Sequence, residues 1–536
     1  MKLNFRSKIL LLLAVMVVAV FFRFYQLDKI PPGLYPDVAI NGNDALQSLQ
    51  TGDYKLFYPE NNGREGLIMW LDALSIYLFG INVLALKIPA ALVGTLTVWG
   101  IYLLARQLFD RKKEAAALLS AFFCATSFWH VNFSRIGFRA ILIPFCLVFS
   151  FYFLWRTFKE KKIWLAIMSG IFFGLGFYTY ISFRLAIPLL FCALGLWLIP
   201  YFKQKNIGQF VKLSTAMLLA TFFVALPIGV YFLRHPADFF GRAAQTSILI
   251  AKNPLFELGK SLVLHLGMFN IYGDGNWRHN FAGAPELNLL VGIAFLAGLF
   301  VLLKSNLNSS SKLSKFDSNN IFLFLLLWLA FMLLPGVLTS EGIPHALRTI
   351  GVIPAVMIIS AVGTVAVYDW LKPRLSKIML GAITVVFIVA VIAQGYWQYF
   401  VAWAQNPNVQ GAFTTRYVNV ANLAVSFPAD YQTVIIVNEN GVPVPYPNGI
   451  PMPAQTVIFA ETAHCYESGC LIGKTWYSPH STYLKPEQLD QIVPGRKTVI
   501  IPMKDDSAIF GKLSQMFPQG QIKQKNNIRC LEIIKN

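Results

Sequence analysis

Apolar residues along this chain come in long unbroken blocks, not in the two-residue alternation or one-sided helical stripe of soluble elements. A spanning helix needs about 20 mostly apolar residues, because each rises about 1.5 Å through a hydrocarbon core about 30 Å thick. By that rule the pattern predicts about eleven spans. They fall near 8–25, 83–105, 114–131, 138–156, 163–181, 184–201, 211–233, 286–304, 320–338, 347–370 and 377–398. The first follows Lys2, Arg6 and Lys8 in the manner of a signal-peptide basic region. No small-residue cleavage site follows it, and Arg23 and Tyr25 read as an interfacial end, so a retained anchor is expected.

Three polar segments interrupt this pattern: 26–82, 234–285 and about 400–536. In the first, LIMWLDALSIYLFG (67–80) is too short to span and predicts an amphipathic helix lying at the interface. The last switches to strand-like runs, TVIIVNE (433–439), TVIFAE (456–461) and TVIIPM (498–503), separated by Pro/Gly-rich turns. The expected fold class is therefore a polytopic α-helical membrane protein with a small C-terminal α/β domain. The expected division is a transmembrane domain over 1–400, carrying loops 26–82 and 234–285, and an extracytoplasmic domain over 401–536. One low-complexity patch, SNLNSSSKLSK (305–315), reads as a flexible loop.

Composition agrees with the pattern. Only 13% of the 536 residues are charged and 56% are hydrophobic, against roughly a quarter charged in soluble domains. The formal charge of +19 would suggest nucleic-acid binding in a soluble protein. Here the short alternate loops hold Arg106/Arg111/Lys112/Lys113, Arg156/Lys159/Lys161/Lys162, Lys203/Lys205/Lys212, Lys304/Lys312/Lys315 and Lys372/Arg374/Lys377. The positive-inside rule then places these loops and the N-terminus in the cytoplasm of a cell membrane, and segments 26–82, 234–285 and 400–536 outside. The charge is thus a topology signal, and no nucleic-acid partner is expected.

The chain has no Walker loop, no dinucleotide fingerprint and no HExxH. Cys124, Cys146 and Cys192 fall in spans; Cys465, Cys470 and Cys530 fall outside, where Cys465 with Cys470 could close a tight loop. No cofactor is implied. A divalent metal is compatible with the chemistry below, but no ligand cluster is evident in the sequence.

The chemical signal lies in the first loop, in YPDVAINGNDA (35–45) and FYPENNGREGLIMWL (57–71), where Asp37 and Asp44 are close and Pro36, Gly42 and Gly63 predict turns. The short outer turns contain Arg135, Arg139, Arg184 and Arg348 but no Lys, whereas the cytoplasmic loops are mostly Lys. Arg offers a planar fork that grips phosphate or carboxylate with two hydrogen bonds. Individually these arginines could equally snorkel or pair with Asp37, Asp44, Glu60 or Glu65. The long loop adds GDGNWRHNF (273–281) with Asp274, Asn276 and Arg278, a Trp among polar groups that suits a sugar face. His345, beside Arg348, is a candidate donor to phosphate. The set suits a carboxylate base that deprotonates an acceptor hydroxyl while cations stabilise a departing lipid phosphate.

With PENNGREG, FSRIGFRA, NWRHN and PHALR in this order, the chain resembles the C-type membrane glycosyltransferases of the protein O-mannosyltransferase and aminoarabinose transferase superfamily (family 39-like). The resemblance covers about 1–400. It implies an inverting transferase that uses a polyprenyl-phosphate sugar donor and a protein or lipid hydroxyl acceptor, among membrane lipids, on the outer face. The family's acid after the first span, usually Asp-Glu, corresponds to Asp37, followed here by Val38. Its basic residue before the interfacial helix, usually in Lys-Pro-Pro, corresponds to Arg64, followed by Glu65-Gly66. The resemblance thus implies Asp37 as the catalytic carboxylate and a basic role for Arg64, which joins Arg135, Arg139, Arg184, His345 and Arg348 from the outer turns as candidates for the donor phosphate. Asn41, Asp44, Glu65, Asp274, Asn276 and Arg278 are candidates for acceptor or sugar. The competing expectation is a transporter or flippase for an anionic lipid-linked substrate, against which the absence of paired halves counts.

Overall fold

The computed structural model describes residues 5–109, 114–307, 315–468, 481–495 and 497–534. The basic residues Arg111, Lys112, Lys113 and Lys312, most of the 305–315 patch, and Cys470 lie outside the described residues. All eleven apolar blocks are helical. The helices are α1 (Phe5–Phe24), α2 (Pro36–Thr51), α3 (Leu67–Phe79), α4 (Val83–Leu108), α5 (Glu114–Thr126), α6 (Phe128–Arg135), α7 (Leu142–Glu160), α8 (Ile163–Leu175), α9 (Ala186–Lys203) and α10 (Ile207–Arg234). They continue with α11 (Pro236–Thr246), α12 (Pro254–Gly267), α13 (Leu289–Leu307), α14 (Lys315–Val337), α15 (Ile353–Leu371), α16 (Lys377–Tyr396), α17 (Pro407–Ala412), α18 (Thr415–Val425), α19 (Ala454–Ser468) and α20 (Ser507–Met516).

Eight of these helical stretches are long and apolar enough to cross a membrane, and α5 with α6 makes a ninth bent by 56°. The two remaining blocks, around α8 and α13, are apolar but shorter. The expected eleven spans are thus eleven helical blocks, of which eight, or nine with the bent pair, are long and apolar enough to cross a membrane among the described residues. The segment expected as an amphipathic helix, 67–80, is α3, a short apolar helix of 13 residues.

Contacts divide the chain into two compact units. The first comprises Met1–Gln26 and Ala90–Gln405, the second Leu27–Pro89 and Asn406–Asn536. By contacts the first loop thus groups with the C-terminal segment, whereas the expected division placed it with the spans. The loop packs instead with the C-terminal segment, because α2 lies against both α3 and α19. At Gly42 a Cβ would come within 2.7 Å of Leu86 and Phe459. Asn43 donates to Gln455 Oε1 at 2.8 Å, and Thr456 and Thr414 both donate to the Leu34 carbonyl. The turn expected at Gly42 is thus helix, and the glycine serves close approach.

In the first unit α8 packs on α7 and α10, and α15 packs on α5 and α13. Arg23, expected at an interface, is fully buried. Its guanidinium donates to the carbonyls of Ala19, Cys124 and Ala125 and to His130 Nδ1. The α5–α6 bend leaves the last carbonyls of α5 without helical partners, and an apolar interior offers no water to replace them.

The second unit carries short strands β1 (Phe57–Tyr58) and β2 (Arg64–Glu65), then β3 (Gln432–Ile436), β4 (Pro443–Val444), β5 (Ile450–Pro451), β6 (Ser481–Leu484), β7 (Lys497–Pro502), β8 (Gln521–Lys525) and β9 (Ile528–Ile534). The main sheet runs β6-β3-β7-β9-β8, parallel across β6-β3-β7 and antiparallel beyond. Two of the three expected strand runs are therefore strands. The third, 456–461, is the buried helix α19, with Ala454, Val457, Ile458, Glu461 and Cys465 at helical spacing along it. A helix covered on several sides shows no polar face, so its run of apolar residues reads like a buried strand. Cys465 is disulfide-bonded and Cys530 is a free, buried thiol.

Glu461 is buried where Ser481 and Tyr483 donate to its two oxygens, each at 2.5 Å. Burial pushes this carboxyl up to about 7, with those two hydrogen bonds opposing the rise. A carboxyl raised on folding contributes stability that is present below its unfolded value and is lost as pH rises through about 7. The apparent Tm should fall between about pH 5 and about pH 8, from a loss of about 3 kcal/mol. Glu461→Gln, which mimics the neutral acid, should flatten that slope in thermal melts across the range.

Candidate functional site

The first loop builds its site on α2. Tyr35 is extended, Pro36 opens the helix, and Asp37 lies in the first turn, where the helix dipole favours a carboxylate. Asp37, Asn41, Asp44 and Ser48 follow at i, i+4, i+7 and i+11, so they share one helix face. Opposite them, Asn61, Asn62 and Gly63 all take positive φ, at 55°, 63° and 84°. Asn and Gly tolerate that region best, and the turn aims the Asn61 amide back at α2. Asn61 donates to Asp37 Oδ1 at 2.8 Å and so orients a half-buried carboxylate.

Arg64 follows this turn and is fully buried. It donates to Asn41 Oδ1 at 2.9 Å, contacts Asp44 Oδ2 at 2.6 Å and Glu60 Oε2 at 3.8 Å, and lies 5.6 Å from the Tyr58 ring centre. Burial raises the Asp44 carboxyl above its ordinary range, while Arg64 pulls it down. Ser48 and Tyr58 exchange a hydrogen bond at 3.0 Å on the same face. Asn41 and Glu65 are buried beside these groups in sequence. Asp72 on α3 is also buried; its carboxyl is raised well above the ordinary range by desolvation.

The remaining candidates belong to the first unit. Arg135 is fully buried, donates to the carbonyls of Phe22 and Tyr25, and packs over Phe400 and Tyr399. Arg139 lies 5.0 Å from the Tyr180 ring centre, and Arg184 donates to the Phe239 carbonyl while covering that ring. Arg348 pairs with Glu341 at 3.1 Å. Every arginine expected on phosphate thus has a protein partner.

Asp274, Asn276 and Arg278 form a chain of side-chain-capped turns: Asp274 Oδ1 accepts from the Asn276 N–H, and Asn276 Oδ1 accepts from the Arg278 N–H. Asp274 Oδ2 meets His279 Nδ1 at 2.9 Å and accepts from the Ala346 N–H. Here the structure brings His345 to within 3.8 Å of the same oxygen. Burial lowers the His345 imidazole well below its ordinary value, with His279, Arg348, His265 and Arg242 acting in the same direction. Glu286, raised well above its ordinary value by burial, accepts from the Asp274 N–H. Two side chains of α6 hold these loops: Trp129 donates to the Ala346 carbonyl and Asn132 to the Arg278 carbonyl.

Sequence reasoning passed over Asn61, Asp72 and Glu286, and gave no role to His279 within GDGNWRHNF. Two signals were available: the 37/41/44/48 spacing of polar residues and the Asn-Asn-Gly turn. Glu286 had none, because the loop path that turns it onto the Asp274 N–H is no local pattern.

Residues 67–231 match the family described as dolichyl-phosphate-mannose-protein mannosyltransferase. An uncharacterized protein of Aquifex aeolicus (strain VF5) is 27% identical over 166 residues, a match spanning 30% of this chain and 32% of that protein. The crystal structure of ArnT from Cupriavidus metallidurans bound to undecaprenyl phosphate superimposes with a TM-score of 0.60 at 12% identity, covering 99% of this chain and 98% of that one. The same enzyme in its apo state gives 0.56, at 12% identity and over 98% and 97% of the two chains. At these identities the superpositions establish the fold: the chain folds as ArnT does. The expected resemblance and fold class are borne out, multi-pass membrane architecture included. Within this C-type fold, the matched family segment begins at α3 and so excludes Asp37 and Arg64.

Arg64→Met should leave the Asp44 and Glu60 carboxylates without their buried cation, at a cost of about 3–5 kcal/mol. Arg64→Lys keeps the charge but loses the fork and should recover part of it. Thermal melts of the detergent-purified variants check both.

Proposed function

We propose that this chain is an inverting glycosyltransferase that moves a sugar from a polyprenyl-phosphate donor to a hydroxyl of a protein or lipid at the outer face of a cell membrane. The observation that carries the proposal is Asp37, a half-buried carboxylate at the N-terminus of α2 held by the Asn61 amide. The C-type fold, the name of the matched family and the undecaprenyl phosphate bound by the ArnT homologue support the donor class.

In this reading Asp37 accepts the proton of the acceptor hydroxyl as its oxygen bonds to the anomeric carbon. The bond from that carbon to the phosphate oxygen breaks on the opposite face, and the electron pair leaves with the lipid phosphate. Developing negative charge on the phosphate calls for cationic donors. Arg139, Arg184 and Arg348 are proposed for that role, with His345 as a neutral hydrogen-bond donor to the phosphate and Asp274, Asn276 and Arg278 for the sugar or acceptor. Arg64 and Arg135, fully buried on protein groups, are proposed to position other residues. Asn41, Asp44 and Glu65 shape the α2 face.

Asp37→Asn removes the base without changing size. It should insert and melt like the wild type yet lose at least about 100-fold in transfer rate from a defined polyprenyl-phosphate sugar. Mass spectrometry of glycoproteins and lipids from cells with and without the chain identifies the donor and acceptor. Lipid flipping in reconstituted vesicles without sugar transfer overturns the transferase reading.

A further inference from the structure

The loop at 268–288 and the segment at 338–349 meet through groups that the proposed reaction leaves only partly explained. Asp274 Oδ2 lies 2.9 Å from His279 Nδ1 and 3.8 Å from His345 Nδ1. One ligand-type atom from each of the three residues falls within 4.8 Å of the others. A tetrahedral ion with metal–nitrogen and metal–oxygen bonds near 2.0–2.1 Å spaces its ligand atoms about 3.3 Å apart. The cluster is therefore the size of a coordination shell.

A hydrogen-bonded Asp274–His279 pair accounts for only part of this arrangement. It leaves His345 Nδ1 buried, directed to within 3.8 Å of the carboxylate, and without a hydrogen-bond partner among the described residues. A cation would satisfy all three donors at once.

We propose that Asp274, His279 and His345 bind a divalent cation of the zinc class, which ties the 268–288 loop to the 338–349 segment. Two imidazoles and one carboxylate favour zinc over calcium or magnesium, which require more oxygen ligands. Three protein ligands leave a fourth position for water or an anionic oxygen. Binding forms a bond from His279 Nδ1 to the metal and releases any proton that nitrogen carried to solvent.

The supporting groups are already ordered. Asp274 Oδ1 is held by the Asn276 N–H at 2.8 Å, and the His345 N–H donates to His265 Nε2 at 3.2 Å. The His279 and His345 rings lie 5.0 Å apart and 31° from parallel. Phe133 and Phe138 flank His279 at 5.7 and 6.3 Å, an apolar wall that shields the cluster. Such outer partners orient ligands before metal arrives.

The test uses tag-free, full-length protein in detergent, stripped with a chelator, reloaded with zinc sulfate and desalted. Elemental analysis should then find about one zinc per chain, and reloading should raise Tm. His345→Ala and the isosteric Asp274→Asn should each weaken zinc binding at least about tenfold and lose the Tm rise. Asp274→Asn keeps an oxygen for the Asn276 N–H and loses only the one facing the Ala346 N–H, a smaller change than His345→Ala, so it reports even if His345→Ala fails to fold. His235→Ala, an exposed histidine elsewhere in the chain, should bind zinc as the wild type does. Failure of the wild type to retain stoichiometric zinc overturns the proposal. So does equal retention in Asp274→Asn, and zinc binding without a rise in Tm overturns the tie between the loops.

Discussion

The first unit depends on one buried guanidinium. Breaking a helix inside an apolar interior exposes carbonyls that nothing nearby can solvate, so the bend between α5 and α6 needs a donor from elsewhere. Arg23 supplies it, reaching from α1 to the carbonyls of Cys124 and Ala125 while also binding His130 on the far side of the break. A cation at the C-terminal end of a helix is favoured by the dipole as well. Close packing makes the arrangement exact in space: a Cβ on Gly94 would lie 2.1 Å from Ser134 Oγ and 3.1 Å from Arg23 Nε.

The bend has consequences for chemistry. Turned by 56° from α5, the short helix α6 directs Trp129 and Asn132 at two backbone carbonyls, those of Ala346 and Arg278. Those carbonyls belong to the two segments that hold His345 and Asp274. A structural arginine in the first span therefore sets loop geometry more than two hundred residues later in the chain. Arg135, on the same short helix, acts likewise on the end of α1 through the carbonyls of Phe22 and Tyr25. Both residues look like phosphate ligands or interfacial anchors when read singly. Their burial shows that satisfying backbone is their first task.

The second unit rests on a different economy. Its polar groups share one face of α2, and each is met by a complementary group: Asn61 on Asp37, Arg64 on Asn41 and Asp44, Tyr58 on Ser48. The other side of the helix is closed by Gly42 against Leu86 and Phe459 and by Asn43 on Gln455. A helix so constrained on both faces holds Asp37 in one orientation, as the general-base role proposed for it requires.

The sequence by itself determined the eleven apolar helices and the two main strands of the C-terminal sheet, and it marked the first loop as the candidate place of chemistry. Each rests on local content: a block long enough for a bilayer, a β-branched run, an acid at a helix start, an Asn-Asn-Gly turn. Only the tertiary structure decided that the first loop packs with the C-terminal segment, that 456–461 is helix, and that Arg23 is internal. It alone placed His345 beside Asp274, residues with no sequence proximity to betray them. Local pattern reports how a segment meets its solvent, and is silent on which distant segment replaces that solvent. Burial of backbone carbonyls, carboxylates and imidazoles is settled by such replacements, so their partners are written in the fold.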